Sequence, residues 1–330
     1  NNIFLIIMGF YVSFCCLSCA LSSTNQRPNT KMRGNILDSV EAVFQRYEEV
    51  RHRMPNVATV DRTLDISSLV DVSTECDAFV FDAFGVLNVG ETPIPGAADR
   101  LDELRCSGAA IRILTNAASY DRNGAIAKFA ALGMAVFPDE IITSRDAALL
   151  ALPEGLVGCI AAPDDPLTDI DRLKRRLTND CDDYAAVDSI LFLSSTGWSD
   201  ERQAMLLASL RQKPRPVLIA NADLVAPRGA SLSIEPGHYG HLLSDAGVDD
   251  VRFFGKPFCE VYKLAEASLP DVPANRIVMC GDTLHTDILG AANRGWQTTL
   301  VTADGLFAGF DTRPFIDRSR IYPTWYLPRI

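Results

Sequence analysis

The sequence predicts an α/β protein built on a doubly wound parallel sheet, with an inserted α/β lobe. Three observations carry that expectation. Short apolar runs rich in β-branched and aromatic residues recur as Phe79-Val80-Phe81, Ile111-Arg112-Ile113-Leu114 and Ile277-Val278-Met279-Cys280, which suits strands buried on both faces. Stretches of helical spacing follow them, Ala97 to Cys106, Asp121 to Leu132 and Ile288 to Arg294, and such alternation argues a βαβ series. Each strand run also leads into a polar residue, Asp82, Thr115 or Asp282, at the strand end where open α/β sheets bind ligands.

In chain order, Ile36 to Arg53 has apolar residues at Ile36, Leu37, Val40, Val43, Phe44 and Tyr47 with charges between, the pattern of a surface helix. The strand into Asp82 is followed by a turn at Pro93 to Pro95 and a helix that Gly108 stops. Beyond Thr143 the strand-end motifs pause. Val157 to Ala161, Ile190 to Leu193 and Val217 to Ala220 read as strands, and Ile170 to Leu177 and Glu201 to Arg211 as helices. Asn221-Ala222-Asp223 ends one of these strands and serves either a substrate or an Asx-turn. Val251 to Phe254 reads as a strand resuming the first pattern, followed by Gly255-Lys256-Pro257 and a helix from Phe258 to Ser268. After Gly305 prolines and aromatics show no period. The expected organisation is therefore a core over 32–142 and 252–310, an α/β lobe over 143–251, and an extended C-terminal tail over 311–330.

Residues 1–31 stand apart. Ile3 to Leu21 is apolar and uncharged, near the length of a membrane span and also like a signal-peptide core, yet no positive n-region precedes it. Met32-Arg33-Gly34 then opens like a soluble N-terminus, and 1–31 is a doubtful apolar segment that leaves localisation uncertain. The nine cysteines show no pairing pattern, so buried free thiols and a reducing, cytoplasmic compartment are expected. Cys16-Leu17-Ser18-Cys19 lacks the second pair that a zinc site needs. Hydrophobic residues at 48 % and charged residues at 22 % are ordinary for a globular chain. A net charge of −11 leaves no general basic surface for nucleic acid.

Taken together, separate strand ends contribute Asp82, Thr115, Lys256 and the pair Asp282 and Asp287. Paired acids in one crevice repel, and a Mg²⁺ ion gives them a reason to sit together. His285 is expected to point to solvent, because hard cations favour oxygen ligands. Each residue alone has a bland reading as a cap or loop residue; their order and spacing argue for a site.

Phe81-Asp82-Ala83-Phe84-Gly85, Leu114-Thr115-Asn116, Gly255-Lys256-Pro257 and Gly281-Asp282 through Asp287 resemble the four motifs of the haloacid-dehalogenase-like (HAD) hydrolase superfamily. The placement of the long insertion between the second and third motifs is similar to the class IIA branch of 4-nitrophenylphosphatase-like and pyridoxal-phosphate-phosphatase-like enzymes. The resemblance implies a Rossmannoid core with a cap, and a phosphatase acting on small phosphorylated metabolites through an aspartyl-phosphate on Asp82. It further implies Mg²⁺ held by Asp82, the Phe84 carbonyl, Asp282 and Asp287, phosphate bound by Thr115, Asn116 and Lys256, and substrate met from the cap by Asn221 and Asp223. The partner expected is a small phosphorylated substrate, with no nucleic acid, no membrane for the folded core, and a homodimer left open. One departure matters: the family's second aspartate, two residues after the nucleophile, is Phe84 here. That leaves open a metal- and phosphate-binding protein without turnover, and a dehalogenase-like hydrolase whose leaving halide needs no proton.

Overall fold

The computed structural model describes residues 37–57, 63–228 and 231–330, so the expectations for 1–31, including Cys16 and Cys19, lie outside the described residues. The first elements are helix α1 (Val40–Val50), β1 (Leu64–Asp65), β2 (Ala78–Phe81), α2 (Ala97–Cys106), β3 (Ala110–Thr115), α3 (Arg122–Ala131), β4 (Ile141–Thr143) and α4 (Ser144–Leu150). Local chemistry sets their starts: the Ser39 hydroxyl caps α1, the Asp121 carboxylate caps α3 by accepting from the Gly124 N–H at 2.8 Å, and Thr143 caps α4. A second group follows: β5 (Val157–Ile160), β6 (Lys174–Arg176), α5 (Cys181–Ala186), β7 (Ser189–Phe192), α6 (Asp200–Gln212), β8 (Val217–Ile219), the hairpin β9 (Val225–Arg228) and β10 (Ser231–Ile234), α7 (Pro236–Asp245) and β11 (Val251–Phe253). The chain ends with α8 (Cys259–Ala267), β12 (Ile277–Gly281), α9 (Leu289–Asn293), β13 (Gln297–Val301), α10 (Arg313–Ser319) and β14 (Trp325–Leu327).

Seven strands pair in the order β1-β14-β13-β12-β2-β3-β4, every pair parallel. All four residues of β2 and all five of β12 are buried, as continuous apolar runs in a doubly covered sheet must be. From β2 the chain steps to β3 on one side and returns as β12 on the other, so the order reverses beside the carboxyl ends of β2 and β12. Asp82 and Asp282 follow those two strands, at the crevice such a reversal opens. The second group forms a separate five-stranded parallel sheet, β11-β8-β7-β5-β6. The fold is thus an α/β Rossmannoid core with an inserted cap.

Three expectations change. Ile170 to Leu177 does not form a helix: Lys174–Arg176 is the edge strand β6, paired with Val157–Cys159, and Leu173 is 76 % exposed. The apolar spacing of Ile170, Leu173 and Leu177 suggests a helical face, but only Ile170 and Leu177 are buried. Val251–Phe253 joins the cap sheet through β8 instead of resuming the core. The tail beyond residue 310 is not extended over the surface, because Trp325–Leu327 inserts between β1 and β13 with Trp325 and Leu327 buried. Prolines on both sides of this three-residue strand hide its alternation. Among the described residues no helix is long and apolar enough to cross a membrane.

Arg145, 1 % exposed on α4, ties the two groups of elements together. Its guanidinium donates to Asp165 at 2.6 Å, to Asp169 at 2.6 Å and to the Ala118 carbonyl at 3.0 Å. Removing one partner of a buried ion cluster leaves charge uncompensated, at a cost of about 3 to 5 kcal/mol. Arg145→Ala is expected to lose a stability of that size in urea unfolding; a loss below about 1 kcal/mol would mean the cluster acts as a surface pair.

Candidate active site

The ends of β2 and β12 and the turn before α8 bring Asp82, Lys256, Asp282 and Asp287 together. Lys256 Nζ lies 2.5 Å from Asp82 Oδ1 and 2.7 Å from Asp287 Oδ1, and all four residues are buried. One oxygen from each of Asp82, Asp282 and Asp287 lies within 4.8 Å of the others. Close approach depends on glycine: Gly85 has φ +84°, and a Cβ there would sit 2.6 Å from Asp282 Oδ2. The second Asp282 oxygen accepts from the Thr283 hydroxyl at 2.9 Å, while Oδ2 accepts from the Leu306 N–H at 2.6 Å. Asp287 sits on a π-helical turn over Leu284–Ile288, its Oδ2 accepting from the Thr283 N–H at 3.1 Å. Such turns often mark functional sites.

Charge is not balanced in this cluster. Burial raises the Asp82 carboxyl above its ordinary range, opposed by Lys256 and reinforced by Asp287. Burial, then Asp287 and Asp82, raises Asp282 in the same direction. For Lys256 burial acts downward, but Asp287 and Asp82 prevail and hold the ammonium above its usual value. The ammonium is therefore a fixed positive charge facing an excess of carboxylate.

Two family profiles match this chain over the segments that carry the cluster. One, described as haloacid dehalogenase-like hydrolase, covers 79–162, and one described as HAD-like hydrolase covers 253–310. Over both segments the chain matches the haloacid-dehalogenase-like hydrolases. The chain is 25 % identical to chronophin of Rattus norvegicus over 276 residues, 80 % of this chain and 89 % of that one. It is 24 % identical to the 4-nitrophenylphosphatase of Schizosaccharomyces pombe over 254 residues, 70 % of this chain and 84 % of the other. A solved structure from Cytophaga hutchinsonii, described as a possible sugar phosphatase of the HAD superfamily, superposes with a TM-score of 0.71 at 24 % identity, covering 81 % of this chain and 98 % of its own. At that identity the superposition shows a shared fold.

Around the hydrolase cluster, Thr115 is buried at the end of β3 with its Oγ1 accepting from the Ala117 N–H at 3.1 Å, leaving its own hydrogen available. The side-chain amide of Asn116 is engaged within the protein. Its Oδ1 accepts from the Lys256 N–H at 2.7 Å, and its Nδ2 donates to the Lys256 carbonyl at 3.0 Å and to Asp223 Oδ1 at 2.8 Å. Both amide hydrogens are taken, so the side chain has no donor left for a phosphate. It joins the lysine turn to the cap instead, and Gly255 at φ +99° allows this, since a Cβ there would meet Asn116 Oδ1 at 2.4 Å. Asn221 makes the Asx-turn, accepting from the Asp223 N–H at 2.9 Å and donating to Glu235. Only Asp223 of that pair reaches the cluster's edge, where burial raises its carboxyl well above the ordinary range.

A cavity of about 670 Å³ adjoins the cluster, sharing Phe84, Ala117, Asp223 and Ala226 with its lining. Phe84 forms the threshold. Lys128 Nζ lies 4.5 Å and the Arg228 guanidinium 5.6 Å from its ring centroid, both within cation–π reach. Neither cation was singled out by sequence reasoning. His285 is a correction. It is 1 % exposed, with Nε2 2.5 Å from Glu48 Oε1 and its ring stacked on Tyr47, because α1 packs over the turn that carries it.

The charge excess sets a pH dependence. A carboxyl whose folded pKa is raised binds protons in the native state that the unfolded chain has released, so acidification stabilises the metal-free fold. Asp282→Asn removes that contribution. In urea unfolding with chelator present, the variant's stability relative to wild type is expected to fall between pH 8 and pH 5, by on the order of 1 to 3 kcal/mol. A pH-independent difference would rule out a raised Asp282.

Proposed function

We propose that this chain is a Mg²⁺-dependent hydrolase of small phosphorylated metabolites that works through an aspartyl-phosphate on Asp82. The observation carrying the reading is the buried convergence of Asp82, Lys256, Asp282 and Asp287 at the sheet's reversal. The donors fit a hard divalent cation: all are oxygens, three carboxylates face one ammonium, and one oxygen of each carboxylate lies within 4.8 Å of the others. Asp82, Asp282, Asp287 and the Phe84 carbonyl would hold the ion. When bound it supplies charge neutralisation for the transferring phosphoryl group.

The remaining chemistry belongs to the side chains. An Asp82 oxygen attacks phosphorus in line, the bond to the ester oxygen breaks, and an acyl phosphate forms on Asp82. Lys256 and the Thr115 hydroxyl face the phosphoryl oxygens, so the work is alignment and charge. The departing alkoxide needs a proton, which Phe84 cannot give. Asp223, held above the ordinary carboxyl range by burial and tethered through Asn116, is the acid in this reading. It protonates the leaving oxygen, then takes a proton from the water that attacks the acyl phosphate, and phosphate leaves with Asp82 restored. The adjoining cavity receives the rest of the substrate. A second reading, phosphate binding without turnover, draws on Phe84 alone.

Phosphate release from 4-nitrophenyl phosphate and a panel of metabolite phosphates is expected to require Mg²⁺ and to vanish in Asp82→Asn. Magnesium binding with no release from any compound would favour the binding protein. Phe84→Asp is expected to raise alkyl-phosphate turnover at least about tenfold, since general acid catalysis is typically worth 10² to 10⁴. An unchanged or lower rate in a folded, Mg²⁺-binding variant would remove the claim that the acid at position 84 is limiting.

A further inference from the structure

Helix α1 precedes both segments matched by the family profiles, yet its buried face reaches the catalytic loop and the cap together. Tyr47 is 2 % exposed. Its ring stacks on His285 at 5.0 Å between centroids and 6° between planes, with Phe44 edge-on to the same imidazole at 5.3 Å and Glu48 bonded to its Nε2. These are positions i, i+3 and i+4 of one helical face. His285 belongs to the π-helical turn that carries Asp287. On its other side the Tyr47 hydroxyl accepts from the buried Leu224 N–H at 3.2 Å, the residue after Asp223. Burial raises the phenol well above its ordinary value, so it remains a neutral acceptor. Arg46 and Arg53 complete the tie, reaching Asp245 at the end of cap helix α7 at 2.5 and 2.7 Å.

We propose that Tyr47 is a positioning residue that fixes Asp223 against the metal-binding turn, so that proton delivery to the leaving group depends on the N-terminal helix. The proposal rests on the hydrolase reading above. A backbone amide freed next to Asp223 lets that carboxyl drift, and small displacements of a reacting group are costly in rate. The loss must fall on esters that need a proton and spare those that do not.

The test is Tyr47→Phe in the full chain, which keeps the ring on His285 and removes only the acceptor. Turnover is measured with glycerol 3-phosphate, a poor leaving group, and with 4-nitrophenyl phosphate, a good one, alongside deuterium exchange of the segment containing Leu224. The expected result is an alkyl-ester kcat lower by about tenfold, with KM and the 4-nitrophenyl rate changed less than about twofold and exchange at Leu224 accelerated. Equal loss on both esters, or no loss on either, overturns the proposal. Should the wild type hydrolyse neither ester, the hydrolase reading fails and exchange alone decides the anchoring: unchanged exchange at Leu224 overturns it, and faster exchange supports it.

Discussion

Burying several carboxylates beside one ammonium is expensive, and the architecture around the Lys256 contact with Asp82 and Asp287 is arranged to meet that cost. Parallel strands are needed to bring the ends of β2 and β12 side by side, because only then do Asp82 and Asp282 share one crevice. Glycines are needed at 85 and 255, where no side chain fits between the strand ends and their neighbours. Asn116 is spent on holding the lysine turn in place. The buried core around these groups keeps water from dispersing the field, as the proposed phosphoryl transfer requires.

The sheet and the four acidic and basic residues were legible because they lie on continuous segments with strong signals: apolar runs of strand length, each stopping at a polar residue. Asp82, Thr115 and Asp282 stand at the strand ends where that reading puts them, while Lys256 follows a strand of the cap sheet. Other parts were hidden for physical reasons. Lys174–Arg176 is an edge strand whose residues carry charge instead of alternation, and β14 is three residues long between prolines. His285 looked solvent-facing because nothing in its own segment announces that a helix over 230 residues earlier covers it. Tyr47 read as one more apolar position of α1; its partner Leu224 offers a backbone amide, which has no sequence signature. Asn116 matched the family motif, but which hydrogen bonds an amide makes depends on neighbours brought from the cap.

Phe84 links the two halves of the site. In place of a carboxylate it offers a π face, and Lys128 and Arg228 converge on it. One comes from core helix α3 and the other from the cap hairpin. The ring therefore lies between a compact, carboxylate-rich cluster and a wider cavity, with Lys128, itself paired with Glu91 at 3.2 Å, and Arg228 beside it. Under the proposed function a substrate would present its phosphoryl group past this ring, so the residue that stands in place of the usual acid would also shape the entrance.

The pairing of β1 with β14 alone has a consequence for how the molecule is made. Leu64 and Asp65 find their ladder partners at Trp325 and Tyr326, and α1 meets Arg318 and Phe315 of α10. During synthesis β1 has no ladder partner until Trp325 and Tyr326 have emerged. The central strands and the cap can assemble earlier from nearer contacts, and the sheet's outer edge closes last. A chain without Trp325–Leu327 would hold its buried carboxylates in a sheet whose flank is still open, which makes β14 the element that seals this edge of the fold.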